Sequence, residues 1–175
     1  MSKIDRRSLL VGALSLAGCK RLAARKGGTK QVTCPAGEHR ITVPAHWDRG
    51  GLKNEQAEIL QGSVLDAAFV TVVAEPLEDF ADGLEGYAEL LKNVQTKQLS
   101  SPSFDPPVPR EIHGMRALYR EFRGVVNGLN LVYLGAYIEA PRHYVQVTTW
   151  TAKSRLAQHR PTLMAVLDSF EALER

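Results

Sequence analysis

Little in this chain announces chemistry. There is no glycine-rich phosphate loop and no Cys or His pair at zinc spacing. Only two cysteines occur in 175 residues, Cys19 and Cys34. The five histidines, His39, His46, His113, His143 and His159, are scattered. None stands beside a Cys or a carboxylate in a recognisable pattern, so packing or surface roles are expected for them. Ser169 follows Asp168 in "LDSFE" but no nucleophile elbow surrounds it. The sequence therefore predicts no catalytic residues, no metal and no cofactor. Long apolar runs are missing too. Leu9–Ala17 would be about 14 Å long as a helix, and a bilayer needs roughly 20 residues.

A net basic charge is missing from the body of the chain. The net charge is +3, yet residues 1–18 carry +2 and residues 19–30 carry +5, leaving −4 on the rest. A nucleic-acid footprint needs a basic patch on the fold itself, so no nucleic-acid partner is expected. What is present is a 44% apolar composition, enough for a core, in a chain of single-domain length.

Residues 1–18 read as a signal peptide. Arg6 and Arg7 stand before a short apolar segment that ends in small residues. Leu16-Ala17-Gly18-Cys19 resembles the lipobox of bacterial lipoproteins, which implies cleavage before Cys19 and acylation of its thiol. Arg6-Arg7-Ser8-Leu9-Leu10 resembles a twin-arginine export signal, although that pattern favours Phe and Lys where this chain has Leu9 and Val11. General secretory export is the alternative. Lys20, where an Asp would favour inner-membrane retention, points to the outer membrane, periplasmic face, in a Gram-negative cell. Residues 19–30 form the lipidated Cys and a flexible basic tether, with a membrane as its partner. Cys34 is then the only thiol left and reads as a small buried residue.

Residues 31–175 are read as one domain. Strands are expected at His39–Val43, within "AEILQG" and along the valine-rich "LDAAFVTVVAE", the last buried on both faces. Phe80, Leu84, Tyr87, Leu91 and Val94 predict an amphipathic helix, with Glu78, Asp79 and Asp82 in its first turn. "SSPSFDPP" reads as an exposed loop. "MRALYREFRGVV", an Asn127-Gly128 turn, "LNLVYLGAYIE", a Pro141-Arg142 turn and "HYVQVTTW" predict a three-stranded meander. A last helix carries Leu156, Leu163, Leu167 and Phe170 on one face, with Pro161 opening its main part after a short turn.

The two-residue turn sets Phe122 opposite Tyr133 and Leu118 opposite Tyr137. The next turn sets Tyr137 opposite Gln146 and Tyr133 opposite Trp150. Alternation then yields two faces. One holds Val132, Leu134, Ala136, Ile138, Val145 and Val147. The other holds Leu118, Phe122, Tyr133, Tyr137, Tyr144 and Trp150, with a dent at Gly135. Either another layer covers that aromatic face, for instance the N-terminal strands, or it is a partner surface.

The entry strand "ITVPAHW", the helix "YAELLKNV", the meander "HGMRALYREFRGVVNGLNLVYLGAYIE" and the closing "LDSFEAL" together resemble the Mog1/PsbP-like superfamily, in particular its bacterial DcrB-type domains. The likeness runs from His39 to Leu173. It implies an α+β fold, an α/β/α sandwich around an antiparallel sheet. It also implies a mostly non-catalytic role, since the family holds assembly, binding and chaperone proteins and shares no catalytic set. The expectation is a lipid-anchored envelope module that binds an unknown protein partner. Lipid or small-ligand binding at Gly135 is the alternative, and an enzyme of unrecognised type is third.

Overall fold

A computed structural model of the chain describes residues 27–49 and 52–173. The segment read as a signal peptide, with Arg6 and Arg7, and Cys19 after it lie outside the described residues. Two strands open the fold, β1 (Thr29–Thr33) and β2 (His39–Pro44), followed by the hairpin β3 (Ile59–Ser63) and β4 (Ala68–Pro76). Helix α1 (Gly83–Gln98) comes next, then β5 (Ser100–Phe104) and β6 (Val108–Ile112). The meander is β7 (Met115–Val126), β8 (Leu129–Glu139) and β9 (His143–Ala152). Helix α2 (Leu156–Asp168) and the short β10 (Glu171–Ala172) close the domain.

All pairings are antiparallel. Six strands line up as β3-β4-β9-β8-β7-β5, and β6 also pairs with β7 to complete a seven-stranded sheet. A small sheet, β1-β2-β10, lies on the α2 side. The layers are therefore α1, the large sheet, then α2 with the small sheet. This is the α/β/α sandwich that the Mog1/PsbP-like resemblance implies.

The meander forms as its turn chemistry dictates. Asn127 and Gly128 both take positive φ, 50° and 78°, the backbone of the tight turn that matches strand twist. The register follows: Phe122 faces Tyr133, Leu118 faces Tyr137, Tyr137 faces Gln146 and Tyr133 faces Trp150. The first six residues of β4 are buried, as a strand covered on both faces requires. On the aliphatic face Val132, Leu134, Ala136, Ile138, Val145 and Val147 join Leu163, Val166, Leu167 and Phe170 in one core, with Ile41 and Val43 from β2.

Several local expectations differ from the structure. "SSPSFDPP" is not a loop, because Ser100–Phe104 is a strand that borrows its ladder from β7. That partner is remote in sequence, so local polarity and prolines mask it. Thr29 and Lys30, read as tether, already belong to β1 and pair with Pro44 and Val43. Glu78 and Asp79 sit in a 3-10 turn (Leu77–Asp79), so α1 starts later, at Gly83, with Glu85 as the acid of its first turn. Pro161 lies inside α2, because a 3-10 turn at Lys153–Arg155 precedes that helix and Leu156 already opens it. The missing N–H of an exposed proline is the local cost.

Gly62 shows how tightly the sheet face is filled. A Cβ there would lie 2.3 Å from Cδ1 of Phe69 and 2.8 Å from the Ala68 carbonyl oxygen. The phenyl ring lies across the bare backbone of its cross-strand partner. Gly62→Ala is therefore expected to destabilise the domain by about 1–3 kcal/mol, read as a lower urea midpoint with an unchanged slope. A wild-type midpoint would mean that β3 yields freely.

Candidate functional site

The aromatic face is real, but it is interior. Phe122, Tyr133 and Tyr137 are at most 1% exposed, and Leu118 and Tyr144 are buried as well. Trp150 is half-buried. The partner-surface reading of Phe122, Tyr133, Gly135, Tyr137, Tyr144 and Trp150 is thus corrected. The covering layer is α1 with Leu99, the residue that follows it; the N-terminal strands β1 and β2 lie on the other face. The cause is a helix whose apolar stripe, Leu84, Tyr87, Ala88 and Leu91, needs a surface of its own.

The register sorts this face into rows. Across the first row, the rings of Phe104, Phe122, Tyr133, Trp150 and Phe69 follow one another from β5 to β4, with centroid spacings of 5.4, 4.7, 6.2 and 5.4 Å. Under α1, Tyr87 stacks on Tyr144 at 5.1 Å and meets Tyr137 edge-on, while Phe80 meets Tyr87 edge-on at 4.9 Å. Between these clusters runs a polar row, Arg120, Gly135, Thr148 and Thr71. Gly135 leaves no pocket: a Cβ there would already touch Phe122 Cε1 and Tyr137 Oη at 3.5 Å. The ligand reading at Gly135 is corrected on that ground.

Arg120 is 1% exposed. It donates to the Ala88 carbonyl at 3.3 Å and to Glu89 at 2.5 Å, both on α1. Burial pushes the Tyr137 phenol up to about 12, with the Arg120 charge opposing. Burial raises Tyr133 further.

Other places gather polar or open surface. A groove of about 650 Å³ runs between β1–β2 and α2, bordered by Gly27, Gly28, Val43, Pro161, Ala165 and Ser169. The β1–β2 turn brings Cys34 and His39 together, and Glu58 joins them; their ligand atoms lie within 4.8 Å of one another. The expectation that no histidine stands beside a Cys or a carboxylate is corrected here. His46 likewise meets Asp66 at 2.6 Å. Burial lowers the His39 imidazole from its usual range, and the Glu58 carboxylate opposes this. A Cys-x4-His spacing was visible in the sequence; Glu58, brought in by β3, was not.

No protein-family model matches this sequence, and no curated protein matches it. Solved structures do resemble it. The solution structure of cyanobacterial PsbP (CyanoP) from Synechocystis sp. PCC 6803 superposes with a TM-score of 0.64 at 13% identity, covering 90% of this chain and 99% of that one. LpqN of Mycobacterium tuberculosis, described as involved in cell envelope biogenesis, gives 0.56 at 10% identity, covering 84% and 91%. PA94 of Pseudomonas aeruginosa, a protein of unknown function, gives 0.52 at 17% identity, covering 85% and 99%. The fold is therefore PsbP-like, mostly antiparallel sheet with two helices.

Interior aromatics imply structural mutants. Tyr133→Ala is expected to cost about 3–5 kcal/mol of stability, measured by urea unfolding; a variant with wild-type stability would return this face to the surface. The Tyr137 phenol adds a pH signature. Its folded pKa lies above the ordinary value of 10, so its contribution is complete below pH 10 and is lost as pH rises through about 12. Tyr137→Phe is expected to remove that part of the alkaline loss, read as thermal midpoint against pH. An identical alkaline profile in the variant would show that another group governs it.

Proposed function

We propose that this chain is an exported lipoprotein, held to the bacterial cell envelope through Cys19, whose PsbP-like domain binds another protein or supports its assembly without catalysis. The observation that carries this reading is Leu16-Ala17-Gly18-Cys19 at the end of a short apolar segment, placed directly ahead of a basic stretch and the first strand. The twin-arginine pattern at Arg6 and Arg7 is read as its export route, and Lys20 favours the outer membrane. LpqN, of similar fold, is described as involved in cell envelope biogenesis, which agrees with an envelope role.

The entry point of the domain supports an orientation. The Gly28 carbonyl accepts from Ala45 N–H at 2.8 Å, and the adjacent His46 reaches Asp66 at the tip of the β3–β4 hairpin. That tip exposes Val64 (42%) and Leu65 (63%). Arg155 donates to the Leu65 carbonyl at 3.0 Å, which brings exposed Lys153 and Arg155 to the same end. Chain entry, apolar tip and basic side chains thus share one end of the sandwich. A tether acylated at Cys19 would turn that end toward the bilayer, where each basic group gains roughly 1 kcal/mol beside anionic lipid. The opposite end, with His113, Arg142 and Leu173 around a shallow cleft, would face a partner.

In cells fed an alkyne-tagged fatty acid, the wild-type chain is expected to carry label and to fractionate with membranes, and Cys19→Ser to lose both. A photo-crosslinking residue at position 65 is expected to capture lipid, and one at position 142 a discrete protein. A soluble chain still bearing Met1 would overturn the anchor. Lipid adducts at 142 and protein adducts at 65 would overturn the orientation.

A further inference from the structure

We propose that Cys34, His39 and Glu58 form a zinc site that clamps the three-stranded sheet to the edge of the seven-stranded one. This inference does not rest on membrane anchoring. A thiolate, an imidazole and a carboxylate are the three donor types that bind this ion, and three protein ligands leave a fourth position for water. Their ligand atoms lie within 4.8 Å of one another. A tetrahedral zinc with bonds of about 2.0–2.3 Å spaces its donors roughly 3.3–3.5 Å apart. The His39–Glu58 pair, at 2.8 Å, would open slightly while wider separations close, movements of about an ångström for which the Glu58 side chain, 34% exposed, has room.

The local backbone is built to hold such a cluster. The Cys34 carbonyl accepts from Gly37 N–H at 2.9 Å, and Gly37 takes a φ of 71°, the left-handed turn that glycine allows. Cys34 N–H then donates to the His39 carbonyl at 3.0 Å, which sets both side chains on one hairpin. The Glu38 amide donates to the Cys34 sulfur at 3.3 Å, a contact that strengthens when the sulfur is a thiolate. Glu58 is fixed from the other sheet: its N–H donates to the Val72 carbonyl at 2.9 Å, just before β3 begins.

A second observation points to a ligand. Cys34 and His39 are each 3% exposed. His39 Nε2 stands at ion-pair distance, 2.8 Å, from a Glu58 oxygen and has no hydrogen bond of its own. A buried imidazole nitrogen left in that state is costly. A cation shared with the carboxylate and the thiol would satisfy all three groups. The Phe170 ring, 5.6 Å from the imidazole, holds the histidine against rotation.

The test uses the full chain, freed of metal with a chelator and titrated with zinc against a chromophoric competitor. One zinc per chain is expected, with a rise in thermal midpoint. Cobalt in its place is expected to show the near-ultraviolet charge-transfer absorption of a thiolate ligand. Cys34→Ser should abolish that absorption, and Glu58→Gln should weaken zinc binding at least about tenfold. The partly exposed Glu58 makes its variant independent of core packing, and circular dichroism checks the fold of both. Absence of stoichiometric zinc, or binding unchanged in Cys34→Ser or Glu58→Gln, would overturn the site. Cobalt uptake without thiolate absorption would overturn it as well.

Discussion

Burial of the central strands on both faces is the condition on which this architecture depends. Residues 132–138 of β8 are all buried, so neither parity of the alternation reaches solvent. The Asn127-Gly128 turn decides which parity goes where. A slip of one residue would exchange the aliphatic set for the aromatic one, and neither helix could then pack as it does. The aliphatic face accepts α2 and the small sheet in one continuous core. The aromatic face is bulkier and more varied, and it is covered by α1 and by Leu99, which caps that helix.

A charged residue at the middle of the aromatic face calls for a physical reason. Arg120 joins β7 to α1 through the Ala88 carbonyl and Glu89. Stability alone is a weak justification, because desolvating a guanidinium offsets much of what the pair returns. Geometry is the better one. Apolar stripes tolerate sliding, whereas a planar fork gripping one carbonyl and one carboxylate admits a single axial position for the helix. The glycine opposite Arg120 on β8 carries no side chain to compete for that volume.

What could be read in advance follows from where each cause lies along the chain. The meander and its four cross-strand pairs were legible because turn and alternation are local properties. β1 and β5 were not, since each is stabilised by a neighbour rather than by its own pattern. β1 pairs with β2 around the Cys34–Gly37 turn, and β5 lies on β7 beyond another strand. The aromatic face was correctly assembled but its exposure was left open, because periodicity reports which residues share a side and says nothing about what lies above it. Tyr87 was already visible on the stripe of α1. Only the packed fold places it on Tyr144 and Tyr137.

The same reasoning explains why the Cys34 cluster has only a partial sequence signature, the Cys34–His39 spacing without Glu58. Two donors belong to one hairpin of the small sheet and the third leads into the edge of the large one. Between those sheets the backbone is tied where Asp48 bridges Gly62, joining the segment after β2 to β3, while β10 pairs with β2 inside the small sheet. Apolar packing joins the sheets there, with Cys34, Ile41, Val43 and Trp47 sharing one core with Ile59 and Val72, and a few directional bonds would add rigidity to that contact. Cys34, His39 and Glu58 stand at that joint, on backbone already held by Gly37 and Val72. Linkage across it would brace the small sheet, and with it the β1 entry strand, against whatever load the preceding chain transmits.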